Sequence, residues 1–280
     1  MTNEDRVKAP RWLADHAANF RASGAEPAVP RLAATVILMR PASTSFEVYA
    51  MRRAASMAFA PGMYAFPGGS VDTSDSDTVI DWVGPPAADW ATRMDLPVGT
   101  AQAVVCAAVR ELYEEAGVLL AGHAPDLGGA AGSPESNVVT DLSDDRWEAA
   151  RSDLVARRRS LTRWFAEAGL TLRADLLVPW ARWLTPEFEP RRFDTFFFLA
   201  RMPAEQHARD LGGEADHTVW VRPAEALGLP MFPPTLHTLG DLASYPDIDA
   251  VIEAATDRDV STPVRPVVEV DPDGAWFRLG

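Results

Sequence analysis

Three glutamates in one short stretch have the spacing that divalent-metal chemistry requires. Glu111, Glu114 and Glu115 lie at positions i, i+3 and i+4, so on an α-helix their carboxylates share one face. Like charges packed this closely destabilise an isolated helix, whereas a hard cation such as Mg²⁺ binds carboxylate oxygens and reverses the sign of that effect. The alternative is a solvated acidic face, which three glutamates alone would favour.

The neighbouring residues predict the helix that must position these glutamates. Thr100 is a candidate N-cap, residues 101–116 contain neither Gly nor Pro, and Gly117 is a natural C-terminal stop. Apolar residues recur at helical spacing on the other side of this helix, and they are Val104, Val105, Ala108 and Leu112. Cys106, the single cysteine of the chain, is expected to pack there as a small apolar residue.

A glycine pair upstream and an arginine at the start of the acidic run complete a longer pattern. Phe66-Pro67-Gly68-Gly69 precedes the helix, and residues 110–118 read RELYEEAGV. Together these segments resemble the signature of the Nudix hydrolase superfamily, G-x5-E-x7-R-E-U-x-E-E-x-G-U, in which U is a bulky apolar residue. Gly69 matches the first glycine, and residues 110–118 match the second half of the signature at each fixed position.

The chain departs from this signature at two points. The acid expected after five intervening residues is Asp75, which is one methylene shorter than glutamate. The segment between Asp75 and Arg110 is 34 residues long (76–109), where the family pattern has seven, so an insertion must lie inside the motif. We place this insertion at about 72–99 and expect a lid or a packed surface loop, because its aspartates do not have the spacing of an EF-hand loop.

The resemblance implies that the protein is an enzyme that cleaves a diphosphate between a nucleoside and another group, with Mg²⁺ as the cofactor and Mn²⁺ as an alternative. The residues that match the family's metal ligands are Glu114, Glu115 and the backbone carbonyl of Gly68, and Glu111 matches either a further ligand or an acid that supports the ligands. Arg110 matches an arginine that orients the motif acids, and either Asp75 or Glu114 could be its partner. The general base is not fixed by the motif. Glu214, on a Gly-rich loop, is one candidate for it, and a loop carboxylate without a role is the equal alternative.

Arginines are the candidates for contacting substrate phosphates, because a guanidinium binds phosphate bidentately. They are Arg53, Arg191 and Arg192, and an ordinary surface arginine is the alternative for each. Arg53, Gly62 and residues 66–69 also resemble the segment upstream of the motif in coenzyme A diphosphatases of this superfamily, although Ala58 stands where that segment has a second arginine.

Residues 183–186 and 191–195, with the insertion inside the motif, look similar to the peroxisomal mammalian branch that acts on coenzyme A esters. We therefore expect coenzyme A or an acyl-coenzyme A as substrate. The alternatives are a hydrolase of another nucleotide conjugate, such as ADP-ribose or a dinucleoside polyphosphate, and a non-catalytic nucleotide-binding module.

Composition narrows the choice of partners. The formal net charge is −14, which argues against general binding to nucleic acid or to a membrane surface. A hydrophobic share of 47% is ample for a core. The charged N-terminus lacks the apolar core of a signal peptide, so we expect a cytoplasmic protein. The resemblance implies a small nucleotide-diphosphate substrate as its partner. The resemblance leaves a homodimer open.

Alternating and apolar runs predict the remaining elements. Strands are predicted at 31–40, 46–52, 176–183, 193–200 and 217–221, and a hairpin at 264–279. Helices are predicted at 10–22, 144–159, 160–168, 223–227 and 235–242. This order favours an α/β or α+β class, and the resemblance makes it an α/β/α sandwich with a mixed sheet. We divide the chain into an N-terminal extension (1–30), the Nudix domain (31–229, with insertions at about 72–99 and 121–175) and a C-terminal extension (230–280) packed on the same domain.

Overall fold

A mixed sheet between two helical layers forms the centre of the computed structural model. The model describes residues 6–9, 11–55, 61–77, 80–123, 137–209, 215–271 and 274–279. The strands are β1 (Arg6–Ala9), β2 (Arg31–Pro41), β3 (Phe46–Arg53), β4 (Tyr64–Ala65), β5 (Gly68–Ser70), β6 (Trp82–Val83), β7 (Ala121–His123), β8 (Leu170–Arg173), β9 (Leu177–Leu184), β10 (Phe193–Arg201), β11 (Ala215–Val221), β12 (Pro266–Asp271) and β13 (Gly274–Leu279).

The helices alternate with these strands along the chain. They are α1 (Arg11–Ser23), α2 (Ala87–Met94), α3 (Val98–Ala116), α4 (Asp145–Val155), α5 (Leu161–Ala168), α6 (Pro223–Ala226), α7 (Pro233–Leu242) and α8 (Ile248–Ala255). No helix in the described part of the chain is both long enough and apolar enough to cross a membrane.

The central sheet has the strand order β11-β3-β2-β10-β9, with β4 paired to β3 and β5 paired to β2. The pair β2 and β10 is parallel, with Arg31 opposite Phe193 and Met39 opposite Arg201. The other pairings in this sheet are antiparallel. The short β5 lies beside the first half of β2, with Thr35 opposite Gly68, and this pairing fixes the glycine pair against a central strand of the sheet.

Alternate residues of the central strands enter two separate cores, as the period of a strand requires. On β2, Val36 and Leu38 join the core that contains α3, α4 and α5. Ile37 and Met39 join the core on the opposite face, which contains α7 and α8. The architecture is therefore an α/β/α sandwich with a mixed sheet, and the predicted fold class is confirmed.

A second small sheet ties together the two segments that were assigned to insertions. Trp82 of β6 pairs in parallel with Leu172 of β8, and β7 pairs antiparallel with β8. A third sheet, β1-β13-β12, packs under α1 with Leu13 and Phe277 in a separate apolar cluster. Residues 230–280 thus supply α7 and α8 to the central sandwich and two strands to this third sheet.

Several predicted boundaries were wrong. The helix α3 begins at Val98, three residues before the predicted start, with Pro97 as its N-cap, so Thr100 lies inside the helix. The helix α4 ends at Val155, and the segment 157–159 therefore lies in the linker to α5. The helices α2 and α8 were not predicted.

Candidate active site

The helix α3 presents the motif acids from within the core. Of its 19 residues, 14 are buried, including Glu111 and Glu114. The helix ends where the Gly117 amide donates to the Tyr113 carbonyl, with Gly117 at φ 67°, a left-handed conformation that glycine adopts without steric cost. The motif is therefore held on a rigid element.

Arg110 is the centre of a buried ion-pair network. Its guanidinium forms a two-pronged contact with Asp75, at 2.7 Å from Nε to Oδ1 and 3.0 Å from Nη2 to Oδ2. The Nη1 group lies 2.6 Å from Glu111 Oε1 and 3.4 Å from Glu114 Oε1, and Nη2 also donates to the Ser70 carbonyl. Arg110 and Asp75 are both 1% exposed. Asp75 is therefore the main partner of Arg110, a choice that the sequence left open.

A short 3₁₀ turn at Thr73–Ser76 brings Asp75 to this position across the insertion. Asp72 caps the turn by accepting from the Ser74 amide, and Asp75 accepts in return from the Asp72 amide at 2.8 Å. The Asp75 carboxylate thus accepts hydrogen bonds both from the backbone of the turn and from Arg110. Since the turn supplies the acid at close range, the shorter aspartate side chain suffices where the family signature has glutamate.

The glycine pair lies directly against two of the motif acids. The Gly68 amide donates to Glu115 Oε2 at 2.7 Å. A Cβ atom at Gly69 would lie 2.5 Å from Glu111 Oε1, closer than real Cβ atoms come. Glycine is required at position 69 because any side chain there would displace the Glu111 carboxylate. The structure thereby joins Gly68, Gly69 and the helix as the signature predicted.

Burial raises the proton affinity of two of these acids. The pKa of Glu111 is raised by desolvation, against the lowering effect of Arg110 and with a further rise from Glu114. Burial also raises the pKa of Glu114, opposed by Arg110 and Arg157. Burial raises the pKa of Cys106 to about 12, so this thiol stays neutral and is no nucleophile.

The donor set suits a hard divalent cation. One helix face carries the carboxylate oxygens of Glu111, Glu114 and Glu115. Because Asp75 neutralises the positive charge of Arg110, these glutamates leave a local excess of negative charge. Their present partners are protein groups, namely Arg110, Arg157 and the Gly68 amide. Within the described ranges no three side chains of His, Cys, Asp or Glu converge closely enough to hold a metal. A bound ion would therefore have to take carboxylate oxygens from these partners.

The second predicted insertion packs on the outer side of α3. The Tyr113 ring stacks on Trp164 with centroids 5.4 Å apart, and its hydroxyl donates to the Trp147 carbonyl at 2.7 Å. Arg151 donates to the Glu114 carbonyl at 3.0 Å. Arg157 Nη1 lies 3.5 Å from Glu114 Oε1. The insertion therefore reaches the motif acids themselves.

The predicted phosphate-binding arginines belong to two segments of the chain. Arg53 ends β3, opposite Ala215 at the start of β11, and its side chain is half-buried. Glu214, the candidate base, lies outside the described residues, as does Ala58.

The other two predicted arginines come just before β10. Arg191 is exposed. Arg192 is 8% exposed and donates to the carbonyls of Thr185 and Ala28. These bonds occupy Arg192 with the backbone, so Arg191 is the better candidate of this pair for a ligand contact.

Arg157 is the residue that sequence reasoning missed. The run Arg157-Arg158-Arg159 falls inside the helix predicted at 144–159, and no role was predicted for it. The structure places the run beyond the end of α4, with Arg157 at φ 56° and in contact with Glu114. No sequence signal connects positions 157 and 114, since the contact depends on how the insertion packs.

Comparisons with known proteins find relatives both by sequence and by fold. No protein-family model matches the chain. The chain is 24% identical over 273 residues to the acyl-coenzyme A diphosphatase NUDT19 of Xenopus laevis, covering 85% of this chain and 70% of that protein. It is 27% identical over 215 residues to the human acyl-coenzyme A diphosphatase NUDT19, covering 66% of this chain and 56% of that protein, so it spans little more than half of the human relative.

The fold is also similar to a crystal structure of a NUDIX hydrolase from Alicyclobacillus acidocaldarius. The TM-score is 0.61 at 28% sequence identity, and the likeness covers 84% of this chain and 99% of the other.

The acids on α3, the glycine pair and these likenesses all support a resemblance to the Nudix hydrolase superfamily, an enzyme class that hydrolyses phosphorus-containing acid anhydrides. Within that superfamily the sequence likeness is to the acyl-coenzyme A diphosphatase branch. The family resemblance and the enzyme class predicted from the sequence are confirmed.

Proposed function

We propose that this protein is a Mg²⁺-dependent diphosphatase that cleaves the diphosphate linkage of coenzyme A or of acyl-coenzyme A. The observation that carries the proposal is the arrangement of Glu111, Glu114 and Glu115 on α3 against the glycine pair. The substrate comes from the sequence likeness to proteins named acyl-coenzyme A diphosphatase, which extends over most of the chain.

In this proposal the metal ligands are the three glutamates of α3 together with the Gly68 carbonyl. A bound divalent cation neutralises charge on phosphate oxygens and lowers the pKa of a bound water. Arg110 positions Glu111 and Glu114 by direct hydrogen bonds, and Asp75 holds Arg110 in turn.

The proposed substrate contacts and the proposed general base come from outside α3. We propose Arg53 and Arg191 as phosphate contacts, and Arg192 as the side chain that fixes the backbone beside Arg191 through Thr185 and Ala28. Glu214 stays a candidate for the general base, because it directly precedes β11, whose first residue pairs with Arg53.

The wider setting of the proposal follows from composition and packing. The net charge of −14 supports a small-molecule substrate over nucleic acid and over a membrane surface. We propose a cytoplasmic enzyme with residues 31–229 as its catalytic domain. The packing of α7 and α8 on the central sheet supports an extension at 230–280 that belongs to the same folded unit.

A substrate panel tests the proposal. The purified protein is incubated with Mg²⁺ and one of coenzyme A, acetyl-coenzyme A, ADP-ribose, diadenosine tetraphosphate or NADH, and kcat/KM is measured for each with product identification by mass spectrometry. The expected result is the highest kcat/KM for coenzyme A or its ester, with 3′,5′-ADP as one product. Preference for another conjugate contradicts the proposed substrate, and no turnover of any compound favours the binding-module alternative.

A further inference from the structure

A groove with a volume of about 620 Å³ opens beside the motif acids. It lies between the turn at residues 72–77 and the linker that joins α4 to α5. Arginines and carboxylates alternate in its lining, which includes Arg157, Arg158, Arg159, Arg163, Asp153 and Glu167. With Asp72 and Asp77 the lining has four carboxylates to its four arginines, so the groove is formally neutral in a protein whose net charge is −14.

Three of these arginines pair with carboxylates of the groove itself. Arg158 lies 2.7 Å from Asp153. Arg159 and Arg163 both pair with Glu167. Three arginines thus share two carboxylates, and each of the three has a partner within the groove.

Arg157 differs from its neighbours in its partner. Its Nη1 group lies 3.5 Å from Oε1 of Glu114, one of the proposed metal ligands. The Arg157 side chain is 52% exposed whereas that of Glu114 is 8% exposed, so the guanidinium lies at the boundary between the buried acids and the open groove. A φ of 56° is uncommon for a residue other than glycine, and here it directs the chain so that this arginine reaches α3.

We propose that Arg157 is a substrate-binding residue whose guanidinium exchanges Glu114 for a phosphate oxygen of the diphosphate when a divalent cation binds Glu114. The groove then receives the anionic part of the substrate. This inference rests on the proposed function. Each charged group keeps a partner of opposite charge in the exchange. The Glu114 carboxylate pairs with the metal ion instead of Arg157, and the Arg157 guanidinium pairs with the phosphate instead of Glu114. An arginine suits this role, since its planar group binds carboxylate and phosphate in the same geometry.

The exchange makes two predictions of opposite sign for Arg157→Gln. Without substrate, Arg157 competes with the cation for Glu114, so the variant should bind Mn²⁺ alone roughly two- to fivefold more tightly, as expected for a half-exposed ion pair. With Mg²⁺ present, the variant should bind the non-hydrolysable diphosphate α,β-methylene-ADP more weakly by about tenfold or more. Mn²⁺ binding is followed by electron paramagnetic resonance of the free ion, and diphosphate binding by titration calorimetry.

Two further variants serve as controls. Arg158→Gln removes the same charge one residue away, where the guanidinium pairs with Asp153, and it should change both affinities by less than about twofold. Arg157→Lys keeps the charge but not the planar group, and its diphosphate affinity should lie between those of the wild type and Arg157→Gln. Thermal melting of each variant confirms that it is folded.

Opposite changes in the two affinities support the proposal. Equal diphosphate binding by the wild type and Arg157→Gln overturns it, and so does a parallel loss of both affinities, which a purely structural role would produce. These measurements use Mn²⁺ and a diphosphate shared by many conjugates. A failure of coenzyme A as substrate is therefore distinguishable from a failure of the role of Arg157.

Discussion

Arg110 forms ion pairs with three carboxylates, and its side chain is buried. It contacts Asp75, Glu111 and Glu114, and the pair with Asp75 is shielded from water on both sides. Removal of one partner from such a pair leaves an uncompensated buried charge, which is costly in free energy. The pair therefore determines both the stability of the motif and the direction of its carboxylates.

This environment predicts the cost of Asp75→Asn. The substitution should lower the free energy of unfolding by about 3 kcal/mol or more, because the charge of Arg110 loses its principal partner. Urea unfolding followed by circular dichroism measures the change. Asp89→Asn, at an exposed position of α2 in the same insertion, is the matched control and should cost less than about 0.5 kcal/mol. Equal costs for the two variants would contradict the role of Asp75.

A pH dependence follows from the burial of Glu111. Desolvation raises the pKa of this carboxyl to about 7 from an ordinary value of 4.5. The folded state then binds more protons than the unfolded state between these two values, so the contribution of Glu111 to stability is full below pH 4.5 and falls as the pH rises through 7.

Glu111→Gln mimics the protonated form and should remove this dependence. In metal-free buffer, the stability of the variant relative to the wild type should rise by on the order of 1 to 3 kcal/mol between pH 5 and pH 8. Urea unfolding at a series of pH values provides the measurement. A difference that stays constant with pH would show that Glu111 is ionised in the folded protein throughout.

At the scale of elements, α3 is clamped between the sheet and the second insertion. Its inner side packs on β2 through the core that contains Val36 and Leu38. Its outer side carries Tyr113, which stacks on Trp164 of α5. The helix that presents the acids is therefore held from two sides within one core.

Trp164→Ala tests the outer layer of this clamp. Trp164 is 5% exposed, so its truncation should cost about 3 to 5 kcal/mol in the free energy of unfolding. It should also increase amide hydrogen exchange in α4 and α5 more than in β2 and β10, since those strands retain the opposite core. Val155→Ala, at a 51% exposed position of α4, is the control and should leave exchange unchanged. A uniform rise in exchange would mean that the insertion does not form a separate layer.

The sequence predicted elements where local signals are strong. β2, β3, β9 and β10 were found within a residue or two, because apolar runs of strand length are bounded by turn residues. The start of α3 was placed too late, because Pro97 caps the helix without a side-chain hydrogen bond and Thr100 offered a stronger local signal. The helix α8 was missed although Asp247 caps it by accepting from the Ala250 amide.

The candidate site was predictable only in its contiguous part. The motif gives Glu111, Glu114 and Glu115, because helical spacing alone places them together. The partner of Arg110 depends on the path of a 34-residue spacer, and the contact of Arg157 with Glu114 depends on the docking of an insertion. Neither contact leaves a periodic signal in the sequence.

At the scale of the whole molecule, the two faces of the central sheet carry two different cores. One core, with α7 and α8, supports the sheet from the face opposite the motif helix. The other core carries α3, both predicted insertions and the groove at Arg157. A substitution of a motif acid therefore leaves the core at α7 and α8 unchanged, and the stability of each variant is measured beside its activity.

The most direct test of the account is hydrolysis of coenzyme A by the wild type and by Glu115→Gln across a Mg²⁺ titration. Glutamine keeps the shape of the side chain and an acceptor for the Gly68 amide, but it removes the charge that a cation needs. Glu187→Gln, at an exposed position outside the motif, is the control.

The account predicts Mg²⁺-dependent release of 3′,5′-ADP by the wild type and by Glu187→Gln. For Glu115→Gln it predicts a loss in kcat of about a hundredfold or more, with an unchanged melting temperature. Full Mg²⁺-dependent activity in Glu115→Gln would contradict the assignment of the active site to α3.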